Sequence, residues 1–464
     1  MEMTMDDMDF ERILRRSLAK GGDFAEIYVE HRLGTSIVCE SGTVEKYLAT
    51  DESGVSIRVV RGDQCAFACT NDASAIDELA DTVARAVGSG EFSRDFSLLR
   101  RTVGSVVRMQ VDPRGVDPVL KLSRVREADS AARGMDPAVV QVRVMYADGM
   151  KRVIVANSLG FVAQDRRDSI IFVVQGIASD GSVMETGYEP VGGCRGFELL
   201  DETPPEEIAR RAVGRALTML RARRSPAGVM PVVLSSEAGG TMIHEAIGHG
   251  LEADLAGEGL SVYSGKLGQE VASKAITVID DGTIEGVRGS MGCDDEGNPT
   301  CRTVLVEGGV LKGYMTDLVT SRKYGLPLTG NARRESYRHR PIPRMTNTMI
   351  APGTLDPQEI VRLVHRGLFV KKMGGGQVNT VTGDFVFNVA EGYLIENGQI
   401  AEPVRGATLI GNGPRILSSI DKVACDLGFG IGTCGKDGQG VPVADAQPTL
   451  LIPEITVGGE IRDA

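Results

Sequence analysis

The chain of 464 residues is 42% hydrophobic and 25% charged, with a formal net charge of −12 at neutral pH. Such a length predicts more than one domain with ample core, and the composition is that of an ordinary globular protein. The acidic balance repels nucleic acid and anionic lipid, and no apolar run approaches the roughly 20 residues that span a bilayer, so no nucleic-acid or membrane partner is expected.

The segment Met1–Asp9 is acidic where a secretory signal would be basic and then apolar, which points to a cytoplasmic protein. Eight cysteines without a Cys-x-x-Cys pair read as free thiols rather than a zinc ribbon. The 58 glycines are scattered, as in turns and close backbone contacts of a β-rich fold.

Helical periodicity covers residues 6–20 and stops at Gly21-Gly22. Short alternating segments follow to about residue 69, with Gly34, Gly42, Gly54 and Gly62 at hairpin-like intervals. Cys65 and Cys69, at an even spacing in one such segment, read as small buried hydrophobes. A helix is expected at about 73–88, a Gly/Ser/Arg-rich connection at 88–115, and a second helix near 116–134. Strands then fall at 138–148, 151–157, 161–177 and 182–190, followed by a helix at 204–222. The order helix, strand meander, helix therefore occurs twice.

Pro226 and Gly228 stop the last of these helices, and Pro231–Ser236 restarts as a strand. This divides the chain into an N-terminal α+β domain, residues 1–224, and a β-rich domain, residues 225–464. In the second, a helix is expected at about 238–253, with others at 316–324, 356–368 and 411–424. Strands are expected at about 275–280, 302–306, 311–315, 377–382 and 384–398.

The chemistry concentrates in His244-Glu245-Ala246-Ile247-Gly248-His249, which holds two of only five histidines. Imidazoles bind zinc, and a glutamate beside a ligand can deprotonate water at the metal. The common helical motif spaces its histidines four apart; here they are five apart. At about 100° per residue they fall roughly 140° out of register on a regular helix. A π-type turn, which adds one residue, restores the register, and Gly248 would permit it at low steric cost.

A catalytic zinc takes a third protein ligand. Glu252 and Asp254 are near in sequence. His31 and His339 have arginine neighbours, and His365 reads as a surface histidine on an amphipathic helix. Cys434 lies in the glycine-rich stretch Gly430–Gly440, read as a loop, where Lys436 would favour its thiolate. On the residues alone the choice stays open between Glu252, Asp254 and Cys434.

The stretch His244–Asp254 resembles the H-E-x-x-x-H signature of the TldD/PmbA metalloprotease family. Asp294–Thr300, Gly330–Tyr337, Pro343–Thr348, Gly374–Gln377, Gly406–Gly411 and Gly432–Lys436 are similar to further blocks of that family. Together they span most of residues 235–460, with a looser likeness in the first half. The resemblance implies an N-terminal α+β domain followed by a C-terminal β-barrel-like metalloprotease domain. It implies one zinc ion (Zn2+) per chain on His244, His249 and Cys434, with Glu245 as general base. It also implies a catalytic subunit working with a PmbA/TldE-like partner, which usually lacks the zinc motif, or as a homodimer. The substrates so implied are small, unfolded or modified peptides.

Substrate contacts are a further expectation. An extended peptide can add as a strand to a sheet edge, which Thr346-Asn347-Thr348 or Gly374-Gly375-Gly376 could supply, although the glycine run reads more readily as a tight turn. Arg334 and Arg338, within the cluster Arg333, Arg334, Arg338, Arg340 and Arg344, could hold a peptide carboxylate. With Glu335 interleaved, that cluster equally suits a solvated or subunit-contact surface. Asp294-Asp295-Glu296-Gly297 lacks the late glutamate of an EF-hand and reads as a loop near the site's rim. The competing function is a metal-binding peptide chaperone or regulatory subunit without peptidase activity.

Overall fold

A computed structural model describes residues 8–88, 90 and 95–460. The first seven residues, on which the acidic N-terminal reading mostly rests, lie outside the described residues, as do residues 89 and 91–94 of the glycine-rich connection.

The first half contains α1 (Phe10–Ser17), β1 (Phe24–Glu40), β2 (Thr43–Arg61), β3 (Gln64–Thr70), α2 (Ile76–Ala86), β4 (Leu99–Arg101) and α3 (Pro118–Arg133). It continues with β5 (Val139–Asn157), β6 (Phe161–Ser179), β7 (Met184–Gly193) and α4 (Pro205–Arg221). Strand order is β3-β2-β1-β5-β6, with β7 and the short β4 also on β6. The expected repeat is therefore real as an order of elements: two helix–meander–helix units meet where β1 pairs antiparallel with β5. Ile13, Leu14 and Val83 of α1 and α2 pack on Ile27 and Ile57. Val125 and Val213 of α3 and α4 pack on Val144 and Phe172. Each helical pair thus covers its own meander.

The strands are longer than the glycine spacing suggests. Gly42 and Gly62 do occupy turns, with φ of 86° and 55°. Gly34 and Gly54 instead sit inside β1 and β2. A side chain at Gly54 would collide with the ring of Tyr337, so this glycine lets the second half of the chain pack directly on β2. Cys65 and Cys69 are exposed rather than buried, because β3 turns Ala66 and Ala68 toward the core instead.

The second half contains β8 (Gly228–Leu234), β9 (Val278–Asp281), β10 (Arg302–Glu307), β11 (Asn347–Ile350) and β12 (Arg366–Val378). It ends with β13 (Asp384–Glu396), β14 (Thr408–Asn412), β15 (Gly428–Lys436), β16 (Gln439–Gln447) and β17 (Leu450–Gly458). Strands β12, β8, β17, β14 and β13 pair in that order, and β13 closes back onto β12 as a five-stranded barrel. A second sheet runs β10-β9-β11-β16-β15, leaving β15 at its edge. One apolar core joins the two, with Val232, Leu368, Phe387 and Ile452 from the barrel and Val278, Val306 and Val443 from the sheet. The protein is thus α+β with a barrel-like C-terminal region.

Here the helices are shorter than periodicity suggests: Leu318–Tyr324, Pro357–Arg362 and Gly413–Ser419. The expected strand at 377–382 is mostly turn, and Gly374–Gly376 lies within β12 rather than in a turn. The β12–β13 register slips between Met373 and Gly376, so the glycines absorb a bulge that bends the barrel wall. Among the described residues no helix is long and apolar enough to cross a membrane.

Candidate metal centre

The histidine motif does not form the regular helix expected over 238–253. Gly240 opens it, its N–H donating to Asp445 at 3.0 Å, and helical turns then change type along its length. Thr241–Ile243 is α, His244–Gly248 is π, and His249–Leu251 is 3-10. The His249 N–H bonds to the His244 carbonyl, five residues back, as the register argument requires. The two imidazoles meet with ring centroids 5.0 Å apart. Gly248 acts differently from expectation: its φ of −53° and ψ of −59° suit any residue. A side chain there would meet the Met345 sulfur, so the glycine lets Met345 pack directly on this turn.

Cys434 arrives from β15, a strand rather than a loop. Its Sγ lies 3.3 Å from His244 Nε2 and 3.5 Å from His249 Nε2. Ligand atoms of the three residues all lie within 4.8 Å of one another. Zinc–nitrogen bonds of about 2.05 Å and zinc–sulfur bonds of about 2.3 Å give a tetrahedral N···S edge of roughly 3.5 Å. The two observed edges match, and two imidazoles with a thiolate are a zinc-type donor set, so these residues fit the metal. Burial opposes ionisation of Cys434, yet hydrogen bonds from His244 and His249 pull its thiol down to about 5. It is therefore a thiolate at neutral pH.

Glu252 is fully buried and faces the other side of His249, its Oε2 3.0 Å from Nδ1. A carboxylate on Nδ1 orients the ring and directs Nε2 at the metal position. Glu252 thus faces the outer nitrogen of His249 and stands apart from the gathered Nε2 and Sγ atoms. Lys436 reaches Glu252 at 3.0 Å and Asp254 at 2.7 Å, so it serves these carboxylates and not the Cys434 thiol. Burial disfavours the Glu252 anion, but His249 and Lys436 hold its carboxyl down at about 2. Replacing Glu252 with Gln is expected to weaken zinc affinity about 10- to 100-fold without removing a ligand, as read by competition with a metallochromic chelator. Unchanged affinity would show that the ring needs no such anchor.

Glu245 lines the same cleft, about 520 Å³ in volume, together with Thr241, His244, His249, Cys434 and Asp445. Its carboxylate has no hydrogen bond from the protein among the described residues, and burial raises its pKa. Much of another wall is β15, through Gly430–Lys436, with Val378 and Thr380 also lining the cleft. Alternation of Gly428, Gly430 and Gly432 with Phe429, Ile431 and Thr433 is the period-two signal that could have revealed this strand.

The other candidates lie elsewhere. His31 bonds Asp51, His339 bonds Ser336, and His365 is exposed just beyond the helix Pro357–Arg362. Arg334 is buried, paired with Glu26 and stacked 4.2 Å from the Tyr28 ring centroid. Arg338 pairs with Glu52 on the surface. Asn347 is buried in β11, bonded to Gly289, Ser290 and Asp281. Gly375 is exposed on the β12 bulge. Arg333 and Arg344 are buried too, so most of the basic cluster is interior rather than solvated surface. Asp294, Asp295 and Glu296 are likewise interior: Asp295 pairs with Arg167 and Glu296 with Arg58, both from the first half, so this loop is not at the cleft's rim.

Family models describing PmbA/TldA metallopeptidases match three segments: domain 1 over residues 25–89, the central domain over 111–220 and the C-terminal domain over 227–459. A metalloprotease TldD homolog of Haemophilus influenzae is 37% identical, over 94% of this chain and 93% of that one. A metalloprotease of Methanothermobacter thermautotrophicus is also 37% identical, over 93% of this chain and 95% of its own. Two solved structures share the fold. One is a Thermotoga maritima protein described as a candidate modulator of a DNA gyrase, with TM-score 0.78, 24% identity and coverage of 97% and 99% of the two chains. The other is TldE from Thermococcus kodakarensis, with TM-score 0.75, 18% identity and the same coverage.

Proposed function

Because the chain belongs to the TldD/PmbA metallopeptidase family, we propose that it is a zinc-dependent peptidase acting on small, unfolded or modified peptides. The observation that carries this is the convergence of two imidazole nitrogens and a thiol sulfur, all within 4.8 Å of one another, beside an unpartnered carboxylate in the same cleft. His244, His249 and Cys434 would hold one zinc ion per chain. Bound there, zinc supplies Lewis acidity that polarises a carbonyl and acidifies water.

The residues of the chain do the rest. Glu245 takes the proton from the attacking water and hands it to the leaving amine. Its freedom from protein hydrogen bonds leaves both carboxylate oxygens available for that transfer. Glu252, clamped by Lys436, keeps His249 turned toward the metal position. The substrate's main chain adds to β15, the edge strand that carries Cys434, where Gly432 presents no side chain. Recognition through the main chain explains tolerance of sequence and the requirement for an unfolded peptide. A TldE-like partner or a second copy completes the active form, in the cytoplasm.

The test is metal removal. Purified protein is expected to carry one zinc per chain, to lose cleavage of unstructured peptides on chelation, and to regain it when zinc is returned. Undiminished cleavage by the metal-free protein would end the proposal. Zinc present with no cleavage, even after a TldE-like subunit is added, would leave a metal-binding peptide chaperone.

A further inference from the structure

A second cavity, about 360 Å³, opens between the two halves of the chain on the flank of β15, and Thr433 lines both it and the metal cleft. Its charge is unusual for an acidic protein. Asp148 is held by Lys121 at 2.6 Å, Asp168 by Arg166 at 2.7 Å and Asp295 by Arg167 at 2.7 Å. Among the described residues, three cations on the wall have no such partner. Arg333 donates only to the carbonyls of Met345 and Pro442. Arg32 is exposed and makes no ion pair. Arg288 uses Nε alone, on the Gly432 carbonyl at 3.2 Å, and leaves both terminal amino groups without a protein partner. Against these stands one uncompensated acid, Glu335, which is exposed and accepts from the Gly440 N–H.

A guanidinium whose two end groups are free, on the wall of a cavity with surplus positive charge, is built for a planar anion. Its anchor, Gly432, is two residues from Cys434 on the same strand, a distance of about 7 Å along an extended chain. A peptide lying along β15 therefore passes the Arg288 fork within a residue or two of the metal position. We propose that this cavity is a carboxylate subsite, in which Arg288, with Arg333 and Arg32 behind it, binds a carboxylate of the substrate near the cleavage point. The assignment rests on the peptidase reading for its occupant. The carboxylate comes from the peptide's C-terminus or from an acidic side chain.

The test measures binding rather than turnover, on the full-length Glu245→Gln variant. The probes are N-terminally fluorescent heptapeptides without structure: a free acid, its C-terminal amide, and the amide with one internal glutamate. By fluorescence anisotropy, the free acid or the internal-glutamate peptide is expected to bind at least about tenfold tighter than the plain amide, and whichever does so identifies the source. Adding Arg288→Gln should equalise the three, and Arg288→Lys should restore only part of the preference. Equal affinity for all three peptides without the Arg288 change, including no binding by any, overturns the subsite. An acid preference that persists in Arg288→Gln overturns it equally. Cleavage by the unsubstituted protein without acid preference in the binding assay removes this subsite and leaves the peptidase standing, whereas acid preference without cleavage by the unsubstituted protein does the reverse.

Discussion

Replacing Cys434 with Ser is expected to take the zinc content from one ion per chain to nearly none, and peptide cleavage with it. A thiolate is a far stronger zinc ligand than an alcohol, which stays protonated at neutral pH. Cys434 is suited to the task because two imidazoles already lie 3.3 Å and 3.5 Å from its sulfur and favour its anion. Serine is smaller and leaves two histidines, too few to hold zinc tightly. Metal analysis of the purified variant, beside a peptide-cleavage assay, reads both effects. Retained zinc with unchanged cleavage would return the third ligand to Glu252. That outcome would also require His249 to rotate, since Glu252 now bonds its Nδ1 and is fully buried.

Glu245→Gln separates chemistry from metal binding. The amide keeps nearly the same shape but cannot accept the water's proton, so cleavage should fall about 10²- to 10⁴-fold. Zinc should remain, because Glu245 bonds neither histidine and takes no part in the Cys434 contacts. Metal content and cleavage rate are measured on one preparation, with circular dichroism to verify the fold. Zinc retained with undiminished cleavage would remove Glu245 from the general-base role. Zinc lost would mean that Glu245 shapes the metal site itself.

Much of the N-terminal half was legible because its helices are bounded by strong stop and start residues and pack on the long strands of one sheet. The helices expected near 116–134 and 204–222 fall at Pro118–Arg133 and Pro205–Arg221. The misjudged places are those where a glycine answers to a distant partner. Gly54 looks like a turn residue locally, but it is a mid-strand residue that receives Tyr337 from the far side of the chain. Gly430 and Gly432 suggested a loop, yet they alternate within β15. Gly374–Gly376 suggested a turn, yet they lie within a strand at a register shift of the β12–β13 pairing.

The candidate site divides along the same line. Five-residue spacing of His244 and His249 by itself determined a π turn, because covalent geometry leaves few other ways to bring both rings to one side. Their neighbour Glu245 and the zinc-type character of the imidazole donors were likewise legible in residue chemistry and spacing. The third ligand was another matter: Glu252, Asp254 and Cys434 have suitable chemistry, and nothing local ranks them. The family resemblance pointed to Cys434, and the tertiary structure carries β15 across nearly two hundred residues of chain to set its sulfur near two Nε2 atoms while turning Glu252 to Nδ1. It likewise buried Arg334 and Asn347, which the sequence offered as substrate contacts, and left Arg288 free on a cavity wall. Local pattern reports which face of an element is apolar. Which polar group ends up unpartnered depends on the neighbours that packing brings, and those are remote in sequence.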